Sequence, residues 1–302
     1  MSDQRLLPLI EAVAAQLQAA GISQSNGLGQ GTQTTFDEAA WLVLWSLDMA
    51  LDSDLDRIGQ RPVSGPELSR VRALVDRRIT ERLPTAYLTG QAWLCGVPFV
   101  VDKRAIIPRS FIAELMVDAT LDLWLGDHTR RALDLCTGNG SLAIIAALTY
   151  PELQIDACDI CPDALAVARL NLQMHELEAR VQLIQSDGLR DCPGPYDLIV
   201  CNPPYVNAAS MARLPPEFRA EPALALAGGE DGMEFIARVL QQVGRHMSEK
   251  SVLLLEVGHE RANFEKAFPQ LSPVWLETRA GSDQVLLLER DQLLATDPLP
   301  AR

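Results

Sequence analysis

The chain has 302 residues, 48% hydrophobic and 22% charged, with few aromatics and a formal net charge of −14. That length builds one large domain or two ordinary ones, and the composition is that of a globular protein. No apolar run is long enough to span a bilayer, and the first residues lack the basic start and clean apolar core of a signal peptide.

In chain order, the apolar spacing over Arg5–Ala20 predicts a helix, and the Gly/Gln/Ser/Thr-rich stretch after it predicts a loop. Thr35-Phe36-Asp37-Glu38 reads as a capping box opening an apolar helix in which Trp41 and Trp45 share a face. Ser64-Gly65-Pro66-Glu67 is a second such start, for a charged amphipathic helix that runs to Leu83 and stops at Pro84. The arginines of RVRALVDRR, residues 70–78, read as its solvated face. Short apolar runs around Gly96 and Lys103 predict a hairpin. The expected division is a helical substrate-recognition domain over 1–90, a β-hairpin connector over 91–109 and a catalytic domain over 110–302.

Beyond Ser110, apolar runs at 132–136, 154–158, 181–185, 196–201 and 251–257 alternate with helical segments at 141–149, 162–174 and 231–247. This predicts an α/β fold with a doubly wound, mostly parallel sheet. SPVWLETRAGSDQVLLLER then holds two strands joined by Arg279–Asp283, with no room for a crossover helix, so the last strand is expected to be antiparallel. The six cysteines, at 95, 136, 158, 161, 192 and 201, are sparse, and several fall in apparent core strands. They read as reduced thiols of a cytoplasmic protein. Cys158 and Cys161 form a C-x-x-C without the further ligands that a zinc site needs, so no metal is expected.

The first strand of the alternating region runs into Asp134-Leu135-Cys136-Thr137-Gly138-Asn139-Gly140. Two glycines between strand and helix let the backbone approach a ligand. The same residues satisfy the dinucleotide fingerprint G-x-G-x-x-A, which keeps NAD open as a ligand. Acids qualify that reading. Asp134 suits a cationic ligand better than a pyrophosphate, Asp159 with Ile160 ends the second strand where a carboxylate takes ribose hydroxyls, and Asp187-Gly188 follows the third, near an adenine edge. A negative nucleoside crevice of this kind fits S-adenosylmethionine, whose sulfonium and amino group are positive. Taken singly, each Asp is equally a helix cap.

The fourth strand delivers Asn202-Pro203-Pro204-Tyr205 to the same sheet edge. Methylating an amide or aromatic-amine nitrogen is difficult because the lone pair is delocalised, so the planar NH₂ must be held in line with the departing sulfur. The Asn202 side-chain oxygen and the Pro203 carbonyl provide two acceptors, the prolines fix their direction, and Tyr205 offers a flat face.

DLCTGNG, ACDI, SDG and NPPY, in this order, resemble class I S-adenosylmethionine-dependent methyltransferases that methylate amino groups, and more narrowly the protein-glutamine N5-methyltransferases. The resemblance covers nearly the whole chain, including LPPEFRAEPALALAGGEDGMEF, LLLEVGHE and AGSDQVLLLERDQLLA. It implies a seven-stranded sheet, S-adenosylmethionine as cofactor held by the loop from Asp134 to Gly140, Asp159, Ile160, Asp187, Gly188 and Asn202, and catalysis at Asn202, Pro203, Pro204 and Tyr205. One branch of this family acts on release factors and usually carries Pro-Arg-Pro in the connector and a glycine first in its loop. Pro108-Arg109-Ser110 and Cys136 here resemble the other branch, which modifies a glutamine of the third large-subunit ribosomal protein. The expected partner is that basic protein, before or during large-subunit assembly, and it complements an acidic chain. Adenine-N6 methylation of nucleic acid uses the same motif, but no basic groove is evident, so no nucleic-acid substrate is expected.

Overall fold

The computed structural model describes residues 4–294. Residues 1–3 and 295–302, which include the end of the DQLLA stretch, lie outside the described residues. The chain divides into two compact units, Met1–Ala92 with Leu214–Glu221, and Trp93–Arg213 with Pro222–Arg302.

The first unit is built on helices Leu6–Ala19, Thr35–Ser46 and Gly65–Glu81, whose apolar faces meet around Leu6, Ile10, Leu17, Leu42, Val71 and Val75. Ser64 and Glu67 form the expected capping box. The second start differs by one residue: Thr34 is the N-cap and accepts from the Asp37 N–H at 3.1 Å, so the third helical position falls on Asp37 instead of Glu38. Glu38 turns inward. It meets Arg78, which the sequence assigns to a solvated face but which is fully buried. The guanidinium reaches Glu38 Oε1 at 2.8 Å, Glu217 Oε1 at 2.8 Å and the Gly27 carbonyl at 2.9 Å. Arg82 adds contacts to Glu217 at 2.5 and 3.0 Å, and Thr32 and Thr85 donate to Glu38. Arg78 can be buried because every face of its planar fork finds an acceptor. Helical periodicity alone does not reveal those acceptors, one of which lies 139 residues away.

β1 (Gln91–Leu94) and β2 (Val97–Val100) form a hairpin that turns through Cys95 and Gly96, and the division of the chain falls between Ala92 and Trp93 within β1. The second unit holds seven further strands: β3 (Arg131–Leu135), β4 (Gln154–Asp159), β5 (Val181–Gln185), β6 (Tyr196–Cys201), β7 (Met247–Glu256), β8 (Val274–Thr278) and β9 (Gly281–Glu289). They form one sheet in the order β5-β4-β3-β6-β7-β9-β8. Pairing is parallel from β5 to β7, and β9 runs antiparallel to both its neighbours, as expected for a strand reached without a crossover. The strands between the edges read as continuous apolar runs because helices cover both faces. Helices Ser141–Thr149 and Pro162–Met174 match their expected spans. The one expected over 231–247 begins only at Glu234, because the Asp231 carboxylate accepts the Met233 N–H at 3.1 Å and holds the preceding turn outside the helix. It ends at Leu240, after which a 3₁₀ turn over Val243–His246 leads into β7 at Met247. The strand order reverses direction between β3 and β6, and ligands bind at the carboxyl ends of strands beside such a switch point.

Removing one partner from the buried ion network leaves an uncompensated charge. Glu217→Ala is expected to lower the unfolding free energy by about 3–5 kcal/mol in denaturant titration. Burial alone would raise the Glu217 carboxyl, but hydrogen bonds from Arg82 and Arg78 outweigh it and hold it below the ordinary 4.5. Its stabilisation is therefore complete above pH 4.5 and lost as pH falls through the lowered value, an acid sensitivity that Glu217→Ala should lack.

Candidate active site

After β3 the chain turns through Cys136, at φ 64°, and Gly138, at φ 55°, before helix Ser141–Thr149. Asp134 fixes this turn from behind. Its Oδ2 accepts from Thr137 Oγ1 at 2.5 Å and from the Ala143 N–H at 3.0 Å, tying the loop to the helix's first turn. Its Oδ1 is buried without a partner among the described residues. Burial pushes this carboxyl up to about 7, against the opposing pull of the two hydrogen bonds. Asn139 is also buried: its Oδ1 accepts the Ser141 N–H, and its carbonyl accepts from Asn171.

In front of the loop lies a cavity lined by Leu135–Gly138 after β3, Cys158–Ile160 after β4, Ser186–Gly188 after β5, and Asn202 and Pro204 after β6. Of the residues singled out in the sequence, Cys136, Thr137, Gly138, Asp159, Ile160, Asp187, Gly188, Asn202 and Pro204 thus converge. Asp134, Asn139, Gly140, Pro203 and Tyr205 are not among its lining residues. The first two buttress the loop, and Tyr205 turns its hydroxyl to Glu256 at 3.2 Å.

Asp159 uses both oxygens on backbone N–H groups, Oδ2 on Gly138 and Oδ1 on Cys161, each at 2.9 Å. A carboxylate oxygen keeps a second lone pair, so two vicinal hydroxyls can still be accepted. Burial raises its pKa against the pull of the Cys161, Gly138 and Ile160 N–H groups. Asp187 is paired with Arg238 at 3.4 Å. The Asn202 side chain has no hydrogen-bond partner among the described residues and stands at the mouth of β6 with its acceptor and donor available. A hydrogen bond with Cys201, and then burial, push the Cys136 thiol well above the ordinary range, and a hydrogen bond with Cys192, and then burial, push up Cys158. Such thiols are inert as nucleophiles. All six cysteines are free, and no group of His, Cys, Asp and Glu able to hold a metal occurs among the described residues.

The arrangement is a cavity that carries two carboxylates, Asp159 and Asp187, and the planar amide of Asn202 among its lining residues. Residues 113–229 match the family model described as methyltransferase small domain. A ribosomal protein uL3 glutamine methyltransferase from Bordetella pertussis is 51% identical over 293 residues, 96% of each chain. One from Neisseria gonorrhoeae is 45% identical over 271 residues, 89% of this chain and 90% of the relative. This chain belongs to the ribosomal protein uL3 glutamine methyltransferase family, and it is a methyltransferase. Among solved structures, the human METTL16 catalytic domain, crystallised with an RNA hairpin, superposes with a TM-score of 0.52 at 15% identity, covering 79% of this chain and 85% of that one. At that identity it shows the shared fold.

Sequence reasoning did not find the cavity walls made by connector residues 104–110, by Pro222, Leu224 and Ala225, and by Phe235 and Arg238. Their only signal was that the stretches containing them resemble the family's. No periodicity or loop motif assigns them to a pocket.

The raised Asp134 carboxyl carries a pH signature in the ligand-free protein. Between the ordinary 3.8 and about 7 the folded state holds a proton that the unfolded chain has released. Folding stability therefore falls as pH rises through this window, by about 1.4 kcal/mol per unit, and levels off above it. Denaturation of wild type and Asp134→Asn at a series of pH values should show that slope only in the wild type.

Proposed function

We propose that this chain transfers the methyl group of S-adenosylmethionine to the side-chain amide nitrogen of a glutamine in ribosomal protein uL3. The observation that carries this reading is the unpartnered Asn202 amide at the end of β6, in the same cavity as Asp159 and Asp187. The residues suit the cofactor. Asp159 offers acceptors for a ribose diol, Ile160 and Leu142 provide apolar walls for an adenine, and Asp187 and Gly188 stand where its polar edge would lie. Behind the loop, a cationic ligand would favour the ionised form of Asp134, whose Oδ1 is buried without a partner among the described residues.

Bound S-adenosylmethionine supplies an electrophilic methyl on a sulfonium. Everything else falls to the chain. Asn202 Oδ1 and the Pro203 carbonyl grip the substrate NH₂ and turn its nitrogen toward the methyl. As the nitrogen loses its amide conjugation, positive charge grows on it, and these acceptors bind it more strongly than in the ground state. The rigid Pro203-Pro204 pair holds that geometry without further ordering cost.

The same reading assigns recognition of the protein substrate to the helical unit and places the reaction in the cytoplasm, where reduced thiols persist and large subunits assemble. A chain of net charge −14 is complementary to a basic ribosomal protein, modified before or during subunit assembly.

Incubation with labelled S-adenosylmethionine and either uL3 or a peptide-chain release factor tests the assignment. Label is expected in uL3; label in the release factor alone would overturn the substrate. Asn202→Ala should lower kcat about 10²–10³-fold with cofactor affinity in calorimetry retained.

A further inference from the structure

Glu256 is the last residue of β7 and is 1% exposed, yet the motifs that pointed to the cavity gave it no defined task. β7 pairs with β6 so that Leu255 lies opposite Cys201, which sets Glu256 beside the start of Asn202–Tyr205. Three donors from two segments converge on its carboxylate. Ser110 Oγ and the Phe111 N–H give hydrogen bonds to Oε2 at 2.6 and 2.9 Å, and the Tyr205 hydroxyl gives one to Oε1 at 3.2 Å. Ser110 itself lines the cavity. A carboxylate accepts only, and so satisfies three donors at once, whereas a glutamine whose oxygen keeps the Ser110 and Phe111 bonds would present its NH₂ to the Tyr205 hydroxyl and force that hydroxyl to turn round as an acceptor. Burial raises the acid's pKa, while the Ser110, Phe111 and Tyr205 bonds and the nearby Arg109 charge favour its ionised form.

The Tyr205 ring is fitted as tightly as its hydroxyl. A Cβ on Gly258, at φ 54°, would stand 2.5 Å from Tyr205 Cε2, and one on Gly232 would stand 2.3 Å from the Tyr205 carbonyl oxygen. Ring, hydroxyl and backbone are thus each held on a separate side. Tyr205 follows the two prolines directly, so fixing it fixes the far end of the segment that carries Asn202 and the Pro203 carbonyl.

We propose that Glu256 is a positioning residue for methyl transfer, locking Tyr205 through its hydroxyl and thereby holding Asn202 and the Pro203 carbonyl at the angle the substrate amide requires. The proposal rests on the reading of Asn202 given above. Glu256 touches neither substrate nor cofactor in this role; it acts through Tyr205, and it couples the connector wall at Ser110 to the acceptor end of the cavity.

A double-mutant cycle tests it, using the full chain, uL3 as methyl acceptor and S-adenosylmethionine. Tyr205→Phe keeps the ring and deletes only the oxygen that Glu256 holds. Glu256→Gln keeps the volume and removes the all-acceptor character. Each is expected to lower kcat about 10- to 100-fold, to leave cofactor affinity unchanged in calorimetry, and to add nothing further when combined. Wild-type kcat in Tyr205→Phe overturns the proposal, whether or not Glu256→Gln folds. So do additive losses, which would confine Glu256 to holding the connector. Asn202→Ala, run in parallel, separates the two readings: if it stays active the catalytic assignment fails, and if it is inactive while Tyr205→Phe is unimpaired the positioning role alone fails.

Discussion

The parallel pairing of β3 with β6 sets the geometry on which the rest of the site depends. Leu135 lies opposite Cys201, so the loop that begins at Cys136 and the segment that begins at Asn202 leave adjacent strands at the same level. A shift of register by one residue would carry every side chain of β6 to the other face of the sheet. The register is fixed by burial: Leu133, Leu135, Ile199 and Cys201 are all at most 1% exposed, and none can move to solvent cheaply. Two chemically different loops are thereby held side by side by strand pairing.

Around that edge the polar groups divide into those that hold the backbone and those that face the cavity. Asp134 and Asn139 spend hydrogen bonds on the glycine loop from behind. Asp159 serves both sides, gripping Gly138 and Cys161 with oxygens that keep lone pairs for a ligand. Glu256 does for the Asn202 segment what Asp134 does for the glycine loop. Asp134 lies next to the end of β3 and meets donors from the loop and helix that follow its own strand, whereas Glu256 ends β7 and meets donors from the segments that follow β2 and β6. Burying such acids costs stability unless their donors are in place, so the loops and the acids enforce each other's geometry.

The helical unit applies the same physics to architecture. Arg78 and Glu217 are each fully buried, and their pairing captures the short segment Leu214–Glu221 from a distant part of the sequence. Arg70 and Arg77, on the same helix, remain solvated as their spacing suggests. Which arginine of the run is buried depends on which one meets acids brought in from elsewhere.

Local pattern was sufficient wherever the deciding contacts are close in sequence or imposed by strand alternation. The parallel sheet with its antiparallel β9, the helix starts at Ser64 and Ser141, and the clustering of Asp159, Asp187 and Asn202 at one edge all followed from runs, turns and strand ends. Contacts between residues far apart in sequence were decided by the tertiary structure alone. The burial of Arg78, the withdrawal of Tyr205 from the cavity lining to Glu256, the wall formed by residues 104–110 and the retreat of Asp134 behind the loop belong to this group. The physical reason is that a side chain's partner, unlike its periodicity, is not encoded by its neighbours: Glu256 meets Ser110 across 146 positions, and only the folded chain brings them within 2.6 Å.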